Sequence, residues 1–306
     1  MNKEKILIGP STFAELDKSP QELLIANGYE ILDNPYKRKL TEIELINLLE
    51  DDVVGLLAGL ENLNYNVMSQ SSLKAISRIG SGLSNIDLDS AKTLGIEVTY
   101  TPNGPTIAVA EFTVGILLSM IRMMPEMNQD LHLKEWNKRI GIQLEGKTIA
   151  IIGFGRIGRH VASLLSSFKV KIIVVDPYLK EQNINYQIFP LEKALPISDI
   201  IIIHSSGDKC ILSDDEFAMM KEGVFILNPA RGGLLSEKAL IKALDSKKIA
   251  GAWLDSFEIE PYSGPLVKYN NVILTPHVGS YTLEGRVKME TDAVNNLLKS
   301  INNKRQ

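Results

Sequence analysis

Few side chains in this 306-residue chain are equipped for proton chemistry near neutral pH. Cysteine occurs once, at Cys210, which excludes a disulfide framework and a cysteine-based metal site. Four histidines remain. His132 lies in a polar helical pattern and His160 just inside a helix, both settings of solvated or structural rings. His204 ends an apolar strand with no visible partner. His277 sits in Thr275-Pro276-His277-Val278-Gly279, where proline and glycine fix a strand-end loop and expose the ring. A loop histidine alone is more often a surface group than a catalytic one, but Glu260 changes that balance. Asp255-Ser256-Phe257-Glu258-Ile259-Glu260-Pro261 also follows a strand, so its carboxylates are held at the same sheet edge. A carboxylate beside an imidazole favours the imidazolium, which donates a proton to a carbonyl being reduced and accepts one from an alcohol being oxidised. Arg231, between a strand and Gly232-Gly233, offers a planar fork for a carboxylate and its neighbouring oxygen, or else a structural ion pair.

The stretch from Lys147 to Asp176 predicts the partner of that chemistry. Ile149-Ala150-Ile151-Ile152 reads as a buried strand. Gly153, Gly155 and Gly158 follow in G-x-G-x-x-G spacing. A helical pattern runs through Val161, Leu164, Leu165 and Phe168, and a second strand, Ile172 to Val175, ends at Asp176. Gly153 permits the tight strand-to-helix turn, and Gly155 lets the backbone approach a pyrophosphate. Gly158 lets the helix sit close on the strand, with its first N–H groups facing the phosphates. Asp176 lies 18 residues beyond Gly158, near the roughly 20-residue offset of an acid that binds a ribose diol. Its charge repels a 2′-phosphate, and Pro177-Tyr178 supplies no cation to offset it. The glycine spacing alone is weak evidence, but with both strands, the helix and the acid it predicts a dinucleotide site, for NAD rather than NADP.

Alternating strands and helices position these groups. Lys5 to Ile8 reads as a strand, Pro20 to Asn27 as a helix ended by Gly28, and Tyr29 to Leu32 as a strand. Thr41 to Glu50 is an amphipathic helix with Thr41 as N-cap and Glu44 at the capping-box offset. Val53 to Ala58 is a strand and Leu73 to Ile79 a helix–strand passage. This alternation predicts an α/β fold with a parallel sheet, here without a phosphate loop of its own, and therefore a substrate-side domain. It ends in Arg78-Ile79-Gly80-Ser81-Gly82, a loop whose N–H groups form either a nest for a carboxylate or a solvated turn. Thr101-Pro102-Asn103-Gly104-Pro105 is a rigid, hinge-like segment. The helix from Ile107 to about Met124 is apolar on nearly every face, which predicts burial in a core or, as the favoured reading, in a subunit interface. Further strands follow at Asp199 to His204, Val224 to Asn228, Ala250 to Asp255 and Val272 to Leu274, with a final helix from Leu283 to Leu298. Ligands of open α/β sheets collect at the carboxyl ends of strands, where Asp176, His204, Arg231, Asp255 and His277 stand.

The net charge of −4, with no basic run beyond Lys304-Arg305, carries no electrostatic footprint for nucleic acid. The longest uncharged apolar stretch, Phe112 to Ile121, is too short to cross a bilayer, and the start, MNKEKILIGP, reads as a first strand and not a signal peptide. A reducing cytoplasm fits the single cysteine.

Six segments together resemble the D-isomer-specific 2-hydroxyacid dehydrogenase family, most closely its phosphoglycerate-dehydrogenase-like members. They are IGSGLSNIDL (79–88), TPNGPTIAVAEFTVG (101–115), GKTIAIIGFGRIGRHVA (146–162), LNPARGGLLSEKAL (227–240), GAWLDSFEIEP (251–261) and LTPHVGS (274–280). The resemblance implies two Rossmann-like domains. A smaller, flavodoxin-like substrate domain would span 1–101, completed by the C-terminal helix 283–306, and a doubly wound NAD-binding domain would span 102–282. It implies catalytic roles for Arg231, Glu260 and His277. Cofactor contacts would come from Gly153, Gly155, Arg156, Ile157, Gly158, Asp176, His204, Ser205, Ala230, Asp255, Gly279 and Ser280, with no metal. Ser81 and Gly82 match the carboxylate-binding loop, and Arg78 would add one positive charge beside it. A small 2-hydroxy or 2-keto acid substrate and a homodimer held through the nucleotide domain are implied as well, with no nucleic acid or membrane partner. The chain departs from the family at SSGDKCIL after His204 and at Ala58-Gly59-Leu60-Glu61, where phosphoglycerate enzymes carry a basic residue. A second class follows from the same resemblance: NAD(H)-sensing corepressors, which usually carry partner-binding extensions that this chain almost lacks.

Overall fold

The computed structural model describes residues 3–179, 185–207 and 209–304. It divides into two compact units, Met1–Pro105 with Ser280–Gln306, and Thr106–Gly279.

Among the described residues the first unit holds a five-stranded parallel sheet. Its strands are β1 (Lys5–Ile8), β2 (Glu30–Asp33), β3 (Val53–Ala58), β4 (Ala75–Arg78) and β5 (Glu97–Tyr100), in the order β2-β1-β3-β4-β5. Every residue of central β3 is buried, which is why it reads as an unbroken apolar run and not an alternation. The helix Leu283–Asn303 lays Met289, Ala293, Val294, Leu297 and Ile301 into the cluster formed by Ile6, Ile8, Leu24, Val54 and Leu57. It approaches so closely that a Cβ at Gly55 would stand 2.7 Å from Ile6 Cδ1 and 3.0 Å from Ile301 Cδ1.

Two expectations change here. Leu73 and Lys74 are not helical; the helix before β4 is Tyr65–Ser69. The hinge-like segment belongs to the first unit, because Gly80 N–H donates to Thr101 Oγ1 at 2.7 Å and Thr101 N–H donates to Gly80 O at 3.0 Å. The chain therefore leaves this unit at Thr106 and not at 102. It re-enters at Ser280, before 283, because Thr282 caps the final helix through Gly285 N–H at 3.1 Å and donates its own N–H to Ser280 O.

The second unit is built on β6 (Thr148–Ile152), β7 (Lys171–Val175), β8 (Gln187–Ile188), β9 (Ile200–Ile203), β10 (Val224–Asn228), β11 (Ile249–Leu254) and β12 (Val272–Leu274). Among the described residues these form a seven-stranded parallel sheet in the order β12-β11-β10-β9-β6-β7-β8, whose order reverses at β6. Its two faces are covered by separate cores, one centred on Ile201, Ile226 and Leu240, the other on Ile151, Val161 and Trp253. The apolar helix Thr106–Ile121 contributes Ala110, Leu117, Met120 and Ile121 to the second core, and Phe112 meets Trp253 edge-on at 5.1 Å. One side of that helix thus serves its own unit, while Ile107 at its start is exposed. No single helix among the described residues is long and apolar enough to cross a membrane.

Candidate active site

The glycine loop closes against the end of β9. Gly153 has φ +89°, and a Cβ there would lie 2.5 Å from Ser205 N and 2.6 Å from His204 C. A Cβ at Gly158 would lie 2.4 Å from Gly153 O. Gly155, the N-cap of helix Arg156–Leu165, meets nothing within 4 Å at its Cβ position. Two glycines are thus required by packing, while the middle one leaves an open approach to the helix N-terminus. Arg156 is exposed and Ile157 half-buried beside it.

Asp176, after β7, is half-buried and accepts Phe154 N–H at 2.8 Å and Tyr178 N–H at 3.0 Å. Those bonds aim the carboxylate across the glycine loop and leave lone pairs for a diol. This donor and acceptor set fits a dinucleotide. His204 follows β9, with its N–H donated to Ile152 O at 2.7 Å. Its Nε2 is buried without a hydrogen-bond partner, and burial pushes the ring's pKa down to about 3. The ring is therefore neutral at any physiological pH. Half-buried Ser205 lies against Gly153.

At the same edge, one strand on from β9, the turn after β10 is organised by Asn228, which is fully buried. Its side chain accepts Ala230 N–H at 3.2 Å and donates to Arg231 O at 2.8 Å. Arg231 Nη1 donates to Ala230 O at 2.7 Å. Gly232 lets this turn touch the next loop, since a Cβ there would stand 2.1 Å from Phe257 C. That loop holds Glu260, whose Oε1 accepts Phe257 N–H at 3.0 Å.

His277 Nδ1 lies 3.1 Å from Glu260 Oε1 and 3.0 Å from Oε2. Burial raises the Glu260 pKa, but the His277 bond, the Phe257 N–H and the charges of His277 and Arg231 outweigh it, so the carboxyl falls below its ordinary 4.5. An ionised carboxylate only accepts, so Nδ1 carries the proton and Nε2 is the nitrogen left for exchange. His277 itself has φ +55°, a left-handed backbone that few residues other than glycine adopt. Asp255, 1% exposed, holds it there: it accepts Thr275 Oγ1–H at 2.5 Å, Val278 N–H at 3.0 Å and Gly279 N–H at 2.8 Å. Thr275 Oγ1 in turn accepts Trp253 Nε1–H at 2.9 Å.

The structure thus gathers Arg231, Glu260 and His277, and puts Asp255 beneath them as a support whose carboxylate is occupied by the loop. Asn228, Thr275 and Gly232 are supporting positions that residue types alone do not reveal: Asn228 fixes its own turn, while Thr275 and Gly232 act through contacts distant in sequence. In the first unit, the candidate carboxylate loop stands by itself, with Ser81 exposed and Gly82 half-buried, and Ser280 half-buried at that unit's start of the final segment. Arg78 is 8% exposed, and its Nη1 would meet a Cβ at Gly80 at 2.5 Å, so it lies beneath the loop and not out in solvent.

Residues 114–279 match the family model of the D-isomer specific 2-hydroxyacid dehydrogenase NAD binding domain. The chain belongs to that family. The matched NAD-binding domain contains the glycine loop, Asp176, Arg231, Glu260 and His277. Among curated relatives of this dehydrogenase-family chain is D-3-phosphoglycerate dehydrogenase of Homo sapiens, 35% identical over 295 residues, covering 93% of this chain and 54% of that protein. The chain therefore spans about half the length of the phosphoglycerate dehydrogenases it matches. Glyoxylate reductase of Thermofilum pendens is 38% identical over 271 residues, covering 83% of this chain and 80% of that protein. The crystal structure of the TT0316 protein from Thermus thermophilus matches with a TM-score of 0.90 at 28% identity, over 98% of this chain and 97% of that one.

Proposed function

We propose that this chain is an NAD-dependent oxidoreductase that interconverts a D-2-hydroxy acid and its 2-keto acid. The observation that carries the proposal is the pairing of His277 Nδ1 with both oxygens of Glu260 beside Arg231. Gly153, Gly155, Arg156, Ile157, Gly158 and Asp176 would hold the cofactor, with the half-buried ends of β9 and β10 (His204, Ser205, Ala230) beside it. When bound, the nicotinamide would supply the hydride chemistry at C2 of the acid, leaving this chain's residues to hold the substrate and move one proton. His277 Nε2 takes the C2 hydroxyl proton during oxidation and donates it to the keto oxygen during reduction. Glu260 keeps the imidazole in one tautomer and stabilises its charged form. Arg231 binds the substrate carboxylate and polarises the adjacent carbonyl. In the first unit, the loop of Ser81 and Gly82 is a candidate nest of backbone N–H groups for a carboxylate.

Asp176 favours NAD over NADP, because its carboxylate disfavours a 2′-phosphate. A homodimer is supported by the segment after helix Met124–His132, where Trp136 is 79% and Ile140 94% exposed; such apolar groups call for a covering surface. We place the protein in the cytoplasm, in keeping with its single, exposed cysteine. NADH oxidation against glyoxylate, pyruvate, hydroxypyruvate, phosphohydroxypyruvate and bulky branched or sugar-derived keto acids tests the reading: turnover with one or more supports it. NADH binding without turnover on any of them would contradict it.

A further inference from the structure

Glu260 sits on a loop otherwise turned to solvent, with Glu258 exposed beside it and Ile259 79% exposed. A carboxylate on such a loop keeps its aim only if the loop is closed by something firmer than its own backbone. Two aromatic rings close it. Phe257 and Tyr262 flank Glu260 in the chain, and their rings stack with centroids 4.2 Å apart and planes 20° from parallel. Both rings pack against the core of that sheet face, the one that contains Leu254 and Leu266. Tyr262 is anchored at its far end as well, because its hydroxyl oxygen accepts Leu266 N–H at 3.1 Å. A Cβ at Gly264 would collide with that hydroxyl, so glycine there leaves the ring its place.

The stack bears on the chemistry through the backbone of Phe257. Its N–H donates to Glu260 Oε1 at 3.0 Å, and both Glu260 oxygens lie within hydrogen-bond reach of His277 Nδ1. The same backbone meets the Arg231 turn at Gly232. Beside it, Ser256 Oγ–H donates at 3.3 Å to Ala230 O, the oxygen that also accepts Arg231 Nη1–H. A ring packed on the core and covered by Tyr262 cannot swing, and the peptide that orients the carboxylate is held with it. We propose that Tyr262 is a positioning residue of the active site: its ring, stacked on Phe257, fixes the loop that aims Glu260 at His277. The imidazole proton is thereby kept on Nδ1. This rests on the dehydrogenase reading above and deepens it. Without the ring, Glu260 loses its fixed direction, and a neutral imidazole is free to hold its proton on either nitrogen. A proton already on Nε2 would block that nitrogen from taking the hydroxyl proton during oxidation.

The test compares wild type, Tyr262→Leu and Tyr262→Phe in two ways. One is kcat and KM with NADH and the best 2-keto acid; the other is nitrogen NMR on isotope-labelled histidine. The His277 signals are identified by their loss in His277→Ala. Wild type should show the neutral His277 ring with its proton on Nδ1. Tyr262→Leu should lower kcat about tenfold or more, with KM and NADH affinity nearly unchanged, and move part of the proton to Nε2. Tyr262→Phe keeps the stack, so kcat should stay within about twofold of wild type and the proton on Nδ1. If Tyr262→Leu does not fold, Phe257→Leu removes the other ring and carries the test. A folded variant without the stack that keeps full kcat or the wild-type tautomer overturns the positioning role while the dehydrogenase reading stands. So does a wild-type ring with its proton on Nε2. A tautomer that responds as expected, in a protein that binds NADH but turns over no keto acid, upholds the positioning of Glu260 and overturns the dehydrogenase reading.

Discussion

Asp255 Oδ2 accepts the Gly279 N–H at 2.8 Å, and a side chain at 279 would begin 2.8 Å from that same oxygen. The carboxylate and the missing side chain together set the course of the loop that presents His277. This makes a loop residue into a fixed one, because its left-handed backbone is maintained by three bonds to one buried acid.

Replacing Asp255 by Ala should therefore act on stability and on chemistry together. Three donors lose their acceptor, at a cost of about 1–3 kcal/mol for the buried ones, and kcat should fall while NADH still binds. Thermal unfolding and single-turnover rates check this. An Asp255→Ala protein with native melting temperature and full kcat would remove the acid from its supporting role.

Gly153→Ala should damage the cofactor site selectively. The new Cβ would press on the backbone of Ser205 at a positive φ, so the strand–helix turn must open. NADH affinity, read by fluorescence titration, is expected to fall at least about tenfold. Gly155→Ala meets no protein atom, so its loss of affinity should appear with little loss of stability. Equal melting temperatures for the two variants would contradict this account.

Much of this geometry was legible beforehand. The glycine spacing and Asp176 mark the tight strand–helix turn and the acid that closes over it because the turn, the helix start and the acid are local in sequence. The capping box at Thr41 and Glu44 was legible for the same reason, and both of its hydrogen bonds are present. Three things were not. Leu73 to Ile79 reads as a helix–strand passage, but the strand register with β3 starts at Ala75 and Lys74 N–H already donates to Val54 O at 2.8 Å, so the residues before the strand are committed to the sheet and not to a helix. The apolar helix Thr106–Ile121 did not disclose which side it would bury, since nearly every face is apolar; Trp253, far along the chain, decides it. Arg78 reads as a charge beside the loop, whereas it is buried, with its guanidinium in the space left open by the glycine at 80, a relationship that no periodicity discloses.

His204 predicts a pH dependence of stability with a definite sign. Its folded pKa, about 3, lies below the 6.5 of an unfolded histidine. The unfolded chain therefore takes up the proton first. The native state keeps its full stability above pH 6.5 and loses it progressively as pH falls from 6.5 toward 3, by up to about 1.4 kcal/mol per pH unit from this one group. Denaturant unfolding of wild type and His204→Asn across pH 4–7 reads the difference: the variant should lack this component of the slope. Parallel slopes would show that the ring protonates in the folded protein.

Asp176→Ala should relax cofactor choice. Removing the carboxylate abolishes the repulsion of a 2′-phosphate and one acceptor for the ribose diol, so NADH affinity falls while that for NADPH rises or holds. The ratio of kcat/KM values for NADH and NADPH is expected to drop at least about tenfold. An unchanged ratio would assign the preference elsewhere.

The most direct measurement is the single-turnover oxidation of NADH by its best 2-keto acid, in wild type and His277→Ala at neutral pH, with NADH affinity measured alongside. The account predicts a rate lowered by about 10²–10⁴-fold in the variant with NADH affinity nearly unchanged. A His277→Ala protein that turns over at the wild-type rate would contradict it.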